Sequence, residues 1–371
     1  MNDKKKKESG WAKAKNSILR FAFHKRAISK AIAALMLVLP SKEKEKAGTV
    51  INKIRSFNGP FSIPSGKEYR QLLLKLYFAR VYYAAEYKEY FMYGLDKVSD
   101  PDKLEYVCWF ELKDYLKKLN ELGRPEIFRN KEKTYEVFRG FFRRELLYVS
   151  SEQLRDEFLS FFQRHSSGII KPSERYGGEG IEIYNLSDGI SPEQIWEEVS
   201  VKIPFVLEEL IEQAPEMSVF YPQAINTIRY NTFYHDGKLT RLQAALRIGR
   251  GGSHVDNATS GGIYAPVDVQ TGRITGPARS DNNEMFEEHP DTGVHFEGSF
   301  IPRWNELNAL LEKVVCVVPE QMQVGWDFAL SKDGWVMVEG NTMPAIQGFD
   351  LDHGMRKLFI ETFGTVVPMW H

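Results

Sequence analysis

The sequence predicts an α+β protein with a helical N-terminal part. Three observations carry this. From about residue 65 to residue 165, apolar and aromatic side chains recur at helical spacing. Near Ser166 the texture changes to short β-branched segments separated by glycine turns. Towards the C-terminus two apolar runs, Gly325–Leu330 and Trp335–Val338, flank Lys332-Asp333-Gly334, a turn of hairpin type.

The chain has 371 residues, 43% hydrophobic and 13% aromatic, enough to bury real cores and long enough for two or three domains. A net charge of −1 leaves no general field to attract nucleic acid. Cys108 and Cys316 form neither a disulfide framework nor a zinc signature, which fits a reducing, cytoplasmic compartment. The charge is uneven. Residues 1–30 hold eight Lys and two Arg against Asp3 and Glu8, a net of +8, so the remainder carries about −9.

The elements follow in order. The run Lys4–Lys7 reads as solvated, and Trp11 to Pro40 reads as a basic amphipathic helix with an apolar end, Ala31–Leu39. That end is too short to span a bilayer. Two readings stand for it: a helix docked on the protein body, or a peripheral anchor on an anionic membrane face. A signal peptide is disfavoured by the length of chain before the apolar run and by Ser41-Lys42-Glu43-Lys44 after it. Further helices are expected over Gln71 to Tyr93, Pro101 to Leu122, Lys131 to Leu147 and Ser151 to His165. The dense aromatics there, Tyr82, Tyr83, Tyr87, Tyr90 and Phe91, read as helix-packing core. Then come a strand at Gly168–Lys171, a glycine loop at Tyr176–Gly180, a strand at Ile181–Tyr184, a helix from Pro192 to Val199 and the segment Phe205–Ile211. Asn226 to about Val269 is strand-rich, Pro302 to Val318 helical, and a last helix is expected near Asp352 to Phe363. The segments 249–262 and 280–298 read as long loops of the kind that carry function. Domain limits are placed at 1–48, 49–130, 131–212 and 213–371.

The acids of the C-terminal hairpin are the strongest chemical signal. Asp327 lies inside an apolar strand, and Glu339 and Asn341 lie two apart on the return strand, so both project to one face. A hairpin through Asp333-Gly334 brings Asp327 to that face. Charges inside apolar strands are costly unless they bind something, and three oxygen ligands suit Mg²⁺. His289 and His295 flank Pro290–Gly293 without metal-ligand spacing and read as surface or capping residues.

Asp, a hairpin, then Glu-x-Asn-x-x-Pro resembles the metal-binding end of ATP-grasp enzymes. The longer string Asn226–Arg229, Ala245–Arg250, Val255–Asn257, Gly261–Ile263 and Gly325–Asp327 is similar to the sugar-transfer-associated subfamily, over roughly residues 130–350. The resemblance implies two α+β subdomains clasping ATP after the helical N-terminal region. It implies that Asp327, Glu339 and Asn341 hold Mg²⁺ on the β- and γ-phosphates. Lys171 would contact the α/β-phosphates under a loop carrying Gly177 and Gly178. Lys131 or Lys133, with Lys133 preferred, would be the second phosphate lysine. The backbone of Glu208, Glu209 and Leu210 would read adenine, and Glu208 or Glu212 would hold the ribose. Arg247 would stabilise the γ-phosphate and developing acyl phosphate, and Arg229 would position substrate or phosphate. Arg250, Ser253, Asp256 and Asn257 belong to a loop expected over the substrate.

The function implied is an ATP- and Mg²⁺-dependent ligase joining a carboxylate to an amine, with substrates linked to cell-surface sugar or polysaccharide synthesis. Two alternatives stay open: a phosphotransferase acting on a hydroxyl, and a non-catalytic nucleotide-binding protein tethered to membrane by its basic N-terminus.

Overall fold

In a computed structural model of the chain, the residues described are 17–19, 21–38, 42–57, 65–95, 103–173, 180–253, 256, 261–282, 284–345 and 355–367. They form two compact units. One gathers the described residues up to Tyr115 together with the C-terminal helix; the other runs from Leu116 to Asp281 and onward from Met285.

The first unit is helical: Arg26–Val38, Lys42–Phe57, Gly66–Tyr82, Tyr87–Met92, the beginning of Trp109–Leu122, and Arg356–Phe363. The expected single helix from Gln71 to Tyr93 is two helices. Ala84 takes a left-handed φ of 55°, which stops the first, and the second starts afresh at Tyr87. Buried Glu89 explains the restart. Its carboxylate accepts the Glu86 N–H at 2.6 Å and the Trp109 N–H at 3.0 Å, satisfying the starts of two helices at once. Desolvation pushes that carboxyl up to about 8. The aromatics Tyr77, Tyr83, Tyr87 and Tyr90 pack in the core with Leu73 and Leu76.

The second unit contains two antiparallel sheets. The smaller has β1 (Leu146–Val149), β2 (Ser167–Pro172), β3 (Glu182–Asn185) and β4 (Phe205–Glu208) in the order β1-β4-β2-β3. Phe158, Phe161, Ile195 and Trp196, from the helices Arg155–Arg164 and Pro192–Val199, pack with it. The helix expected from Lys131 to Leu147 ends at Phe142. Arg143 turns left-handed with φ 50°, and Leu146 enters the sheet opposite Glu208.

The larger sheet has β5 (Thr227–His235), β6 (Lys238–Ile248), β7 (Ile263–Val267), β8 (Ala278–Ser280), β9 (Met285–Phe286), β10 (Gln323–Ser331) and β11 (Gly334–Asn341). Their order is β11-β10-β5-β6-β7-β8-β9. Ile228, Tyr230, Leu246 and Phe328 share one core with Trp304, Leu307 and Leu311 of the helix Trp304–Val314. The period of two then sends Thr227, Arg229, Arg247 and Asp327 to the opposite face. The expected hairpin is present: β10 and β11 meet at Gly334, whose φ of 111° needs glycine.

Candidate functional site

The site starts from that polar face. Asp327 on β10 lies opposite Glu339 on β11 and opposite Arg229 on β5. The register between β10 and β11 shifts just after Asp327, so Phe328 pairs with Met337 and Val338 is the extra residue. Without this bulge, strict alternation would put Glu339 on the same face as buried Met337. With it, Glu339 joins Asp327. Gly325, opposite Asn341, is required by close approach: a Cβ there would lie 2.5 Å from Pro344 Cβ and 2.6 Å from Asn231 Oδ1.

Arg229 grips Asp327 side-on, with Nε donating to Oδ1 at 2.5 Å and Nη2 to Oδ2 at 2.8 Å. Arg247 Nη1 donates to Oδ2 at 3.0 Å. Burial pushes the Asp327 carboxyl up, but the two arginines more than offset it and hold it below its ordinary range. Glu339 goes the other way although it keeps solvent access. Desolvation by the surrounding cleft raises it first, and the Asp327 anion opposite raises it further. Asp256, from the glycine-rich loop, accepts a hydrogen bond from Thr227 Oγ1 and lies 3.6 Å from Arg247 Nη2. Burial pushes its carboxyl up despite Arg247. The Arg247 guanidinium is pulled down by burial and pushed up, on balance, by Asp256, Asp327 and Glu339.

A cleft of about 520 Å³, partly open to solvent, lies within the second unit. Lys171 from the end of β2, Glu208 from the end of β4, and Glu339 and Asn341 from β11 all line it. Apolar Phe128, Phe142, Leu146 and Val338 also line it, so polar and apolar surfaces converge as a ligand site requires. Asp327, Arg229 and Arg247 are not in the lining; they sit behind Glu339 along the same sheet face.

Several expected residues take other places. Lys131, not Lys133, lines the cleft, with its Nζ donating to Pro172 O at 2.9 Å. Lys133 is exposed on the next part of the helix, its N–H capped by Asn130. Desolvation lowers the Lys131 ammonium, and nearby Lys171 adds to this. Glu208 is buried and held by Lys171 Nζ at 2.9 Å and Arg144 Nη2 at 2.7 Å, so its carboxylate serves protein cations. Burial alone would raise it; Lys171 and Arg144 bring it down to about 2. Glu209 is tied to Glu145 in both directions: its N–H donates to Glu145 O, and its Oε2 accepts the Glu145 N–H, both at 3.0 Å. Leu210, half-buried, follows just after the strand. Glu212 is exposed and paired with Lys332 at 2.5 Å. In the loop, Arg250 Nε donates to Gly261 O at 2.7 Å and Ser253 follows the turn. Gly177, Gly178 and Asn257 lie outside the described residues.

Arg144, which the sequence did not single out, and His289 matter here. Arg144 is buried and reaches two strands, β4 and β11. Besides Glu208, its Nη1 donates to Met337 O at 2.7 Å, two residues before Glu339. It therefore ties the Lys171 strand pair to the strand bearing Glu339. His289, read as surface or capping, is a buried capping residue. Its Nδ1 accepts the N–H groups of Asp291 and Thr292, and its Nε2 meets Gly249 O at 2.8 Å, anchoring the root of the glycine-rich loop.

Glu339 and Asn341 offer oxygen donors at the cleft that suit a hard divalent cation, and Asp327 lies behind them with both oxygens on Arg229 and Arg247. Asp327 and Glu339 are adjacent like charges, an arrangement that is unfavourable alone. Asn341 Nδ2 donates to Glu339 Oε1 at 2.9 Å, leaving its amide oxygen as a third donor. Among the described residues no group of three or more His, Cys, Asp or Glu side chains is placed to hold a metal ion.

Comparison with curated proteins returned no match. Solved structures similar to this chain include D-alanyl-alanine synthetase A from Vibrio cholerae, at 16% identity and TM-score 0.42, covering 69% of this chain and 73% of that one. D-alanine–D-alanine ligase from Bacillus anthracis is 14% identical with TM-score 0.39, covering 65% and 68%. L-amino acid ligase from Bacillus licheniformis is 12% identical with TM-score 0.39; the alignment spans 64% of this chain and about half, 48%, of that enzyme. Residues 111–362, well over half of the chain, match the sugar-transfer associated ATP-grasp family. The chain belongs to that family.

Proposed function

We propose that the chain is an ATP- and Mg²⁺-dependent ligase that joins a carboxylate to an amine through an acyl phosphate. One observation carries the reading: Lys171, Glu339 and Asn341 line a single cleft, with the Arg229–Asp327–Arg247 cluster immediately behind. Family membership supports it.

Asp327, Glu339 and Asn341 would hold the metal, which supplies charge neutralisation for phosphate oxygens when bound. The protein's own part is positioning and electrostatics. Lys171 and Lys131 meet the phosphates from the small-sheet side. Glu208 is shared between Arg144 and Lys171, so the Lys171 ammonium at the cleft wall is only partly neutralised. Arg247 and Arg229, behind Glu339, would offset the charge that grows as a substrate carboxylate oxygen attacks the γ-phosphorus and ADP leaves. An amine then attacks the acyl carbon and phosphate departs. The sugar-transfer association of the family supports a substrate carried on a sugar.

The test is an ADP-release screen over carboxylate and amine pairs with product analysis. An amide with one ADP per bond is expected. A phosphoester on a hydroxyl acceptor would make the enzyme a kinase instead. Arg247→Met is expected to lower turnover by about two orders of magnitude.

A further inference from the structure

We propose that the helix Arg26–Val38, with the turn of chain before it, docks on an anionic lipid surface. The helix is apolar on both sides. Ser29 and Ala33 are buried, and Ala33 packs in the helical core with Met36 and Leu37 beside it. The other side carries Ile28, Ala31, Leu35 and Val38 at spacings of three and four residues, all exposed. Leu35 is 58% exposed and Val38 76%; just upstream, Phe21 is 62% exposed. A second apolar side on a helix whose first is already buried belongs in a covered setting. Here the outward side is uncovered by the rest of the described chain.

Charge identifies the occupant. Lys25, Arg26 and Lys30, all exposed, border the apolar face, and Lys25 Nζ sits 3.4 Å over the Phe21 ring. They belong to the first thirty residues, whose net charge is +8 in a chain that is otherwise acidic. A second copy of this chain would bring the same basic border against itself. Anionic headgroups above an apolar layer complement both features. Among the described residues no helix is long and apolar enough to cross a membrane, so the contact is peripheral.

The test uses the full chain with phosphatidylglycerol-rich vesicles and with pure phosphatidylcholine vesicles. Co-sedimentation is expected with the first, weakening steeply at high salt, and not with the second. Leu35→Glu with Val38→Glu is expected to weaken partitioning by roughly tenfold or more. Both positions face solvent, so the melting temperature should stay that of the wild type. Lys25→Glu with Lys30→Glu is a second variant, expected to weaken binding without touching the apolar face. Equal pelleting of wild type and both variants would overturn the proposal. So would pelleting on neither vesicle, or a wild-type dimer by light scattering that Leu35→Glu with Val38→Glu dissolves.

Discussion

At the scale of single residues, the site depends on charges that restrain one another. Glu208 stands between two cations, Arg144 and Lys171. Removing Arg144 leaves Lys171 alone with the Glu208 anion, so the ammonium is neutralised before any phosphate arrives. Arg144→Met is therefore expected to cost about 3 kcal/mol of stability by urea unfolding and to weaken ATP binding by roughly tenfold. Adding Glu208→Gln should recover most of the binding, because Lys171 is then released. A merely structural role for Arg144 predicts no such recovery. Acid provides a second handle. The folded-state Glu208 carboxyl lies at about 2 against an ordinary 4.5, so its stabilisation is present above the ordinary value and is lost as pH falls towards the lower one. The gap in unfolding free energy between wild type and Glu208→Gln should narrow by about 3 kcal/mol over that range.

At the scale of elements, the β10–β11 hairpin was legible in the sequence and its details were not. Acids set into apolar strands with an Asp-Gly turn between them announce both the hairpin and its polar face. The bulge at Val338 has no such signature, since a single inserted valine looks like any strand residue. The small sheet shows the same limit. The apolar run Phe205–Leu207 marks a strand, but nothing local says that the acid ending it is buried on Arg144. Arg144 itself lies in a short connection, where no periodicity applies, and the left-handed Arg143 before it carries neither of the usual residues, Gly or Asn, that mark a helix end. Lys131 and Lys133 were separable only by helix phase, which depends on where the helix begins. The packing of the hairpin end makes its own prediction. Gly325→Ala drives a Cβ into Pro344 and Asn231, and should cost about 2 kcal/mol by urea unfolding. No change would mean that the Pro344 segment does not pack there.

At the scale of the molecule, the division of the chain differs from the limits read in the sequence. It falls between Tyr115 and Leu116, inside a helix, and the C-terminal helix groups with the N-terminal ones. Arg356 explains the second point: its guanidinium meets both oxygens of buried Glu111 at 2.7 and 2.6 Å. A pairing across so long a stretch of chain leaves no trace in local sequence, whereas the family's own motifs do, and they fall within the residues 111–362 that match the family. We propose that Glu339, with Asp327 and Asn341, makes the cleft a site for nucleotide carrying a divalent cation. Calorimetric titration of ATP into wild type and Glu339→Gln, each with Mg²⁺ and with chelator, tests it most directly. Because Glu339 is crowded by Asp327, the variant should melt no lower than wild type, while the Mg²⁺-dependent part of its ATP affinity disappears. Equal Mg²⁺-dependent affinity in the two proteins would mean that Glu339 holds no metal ion.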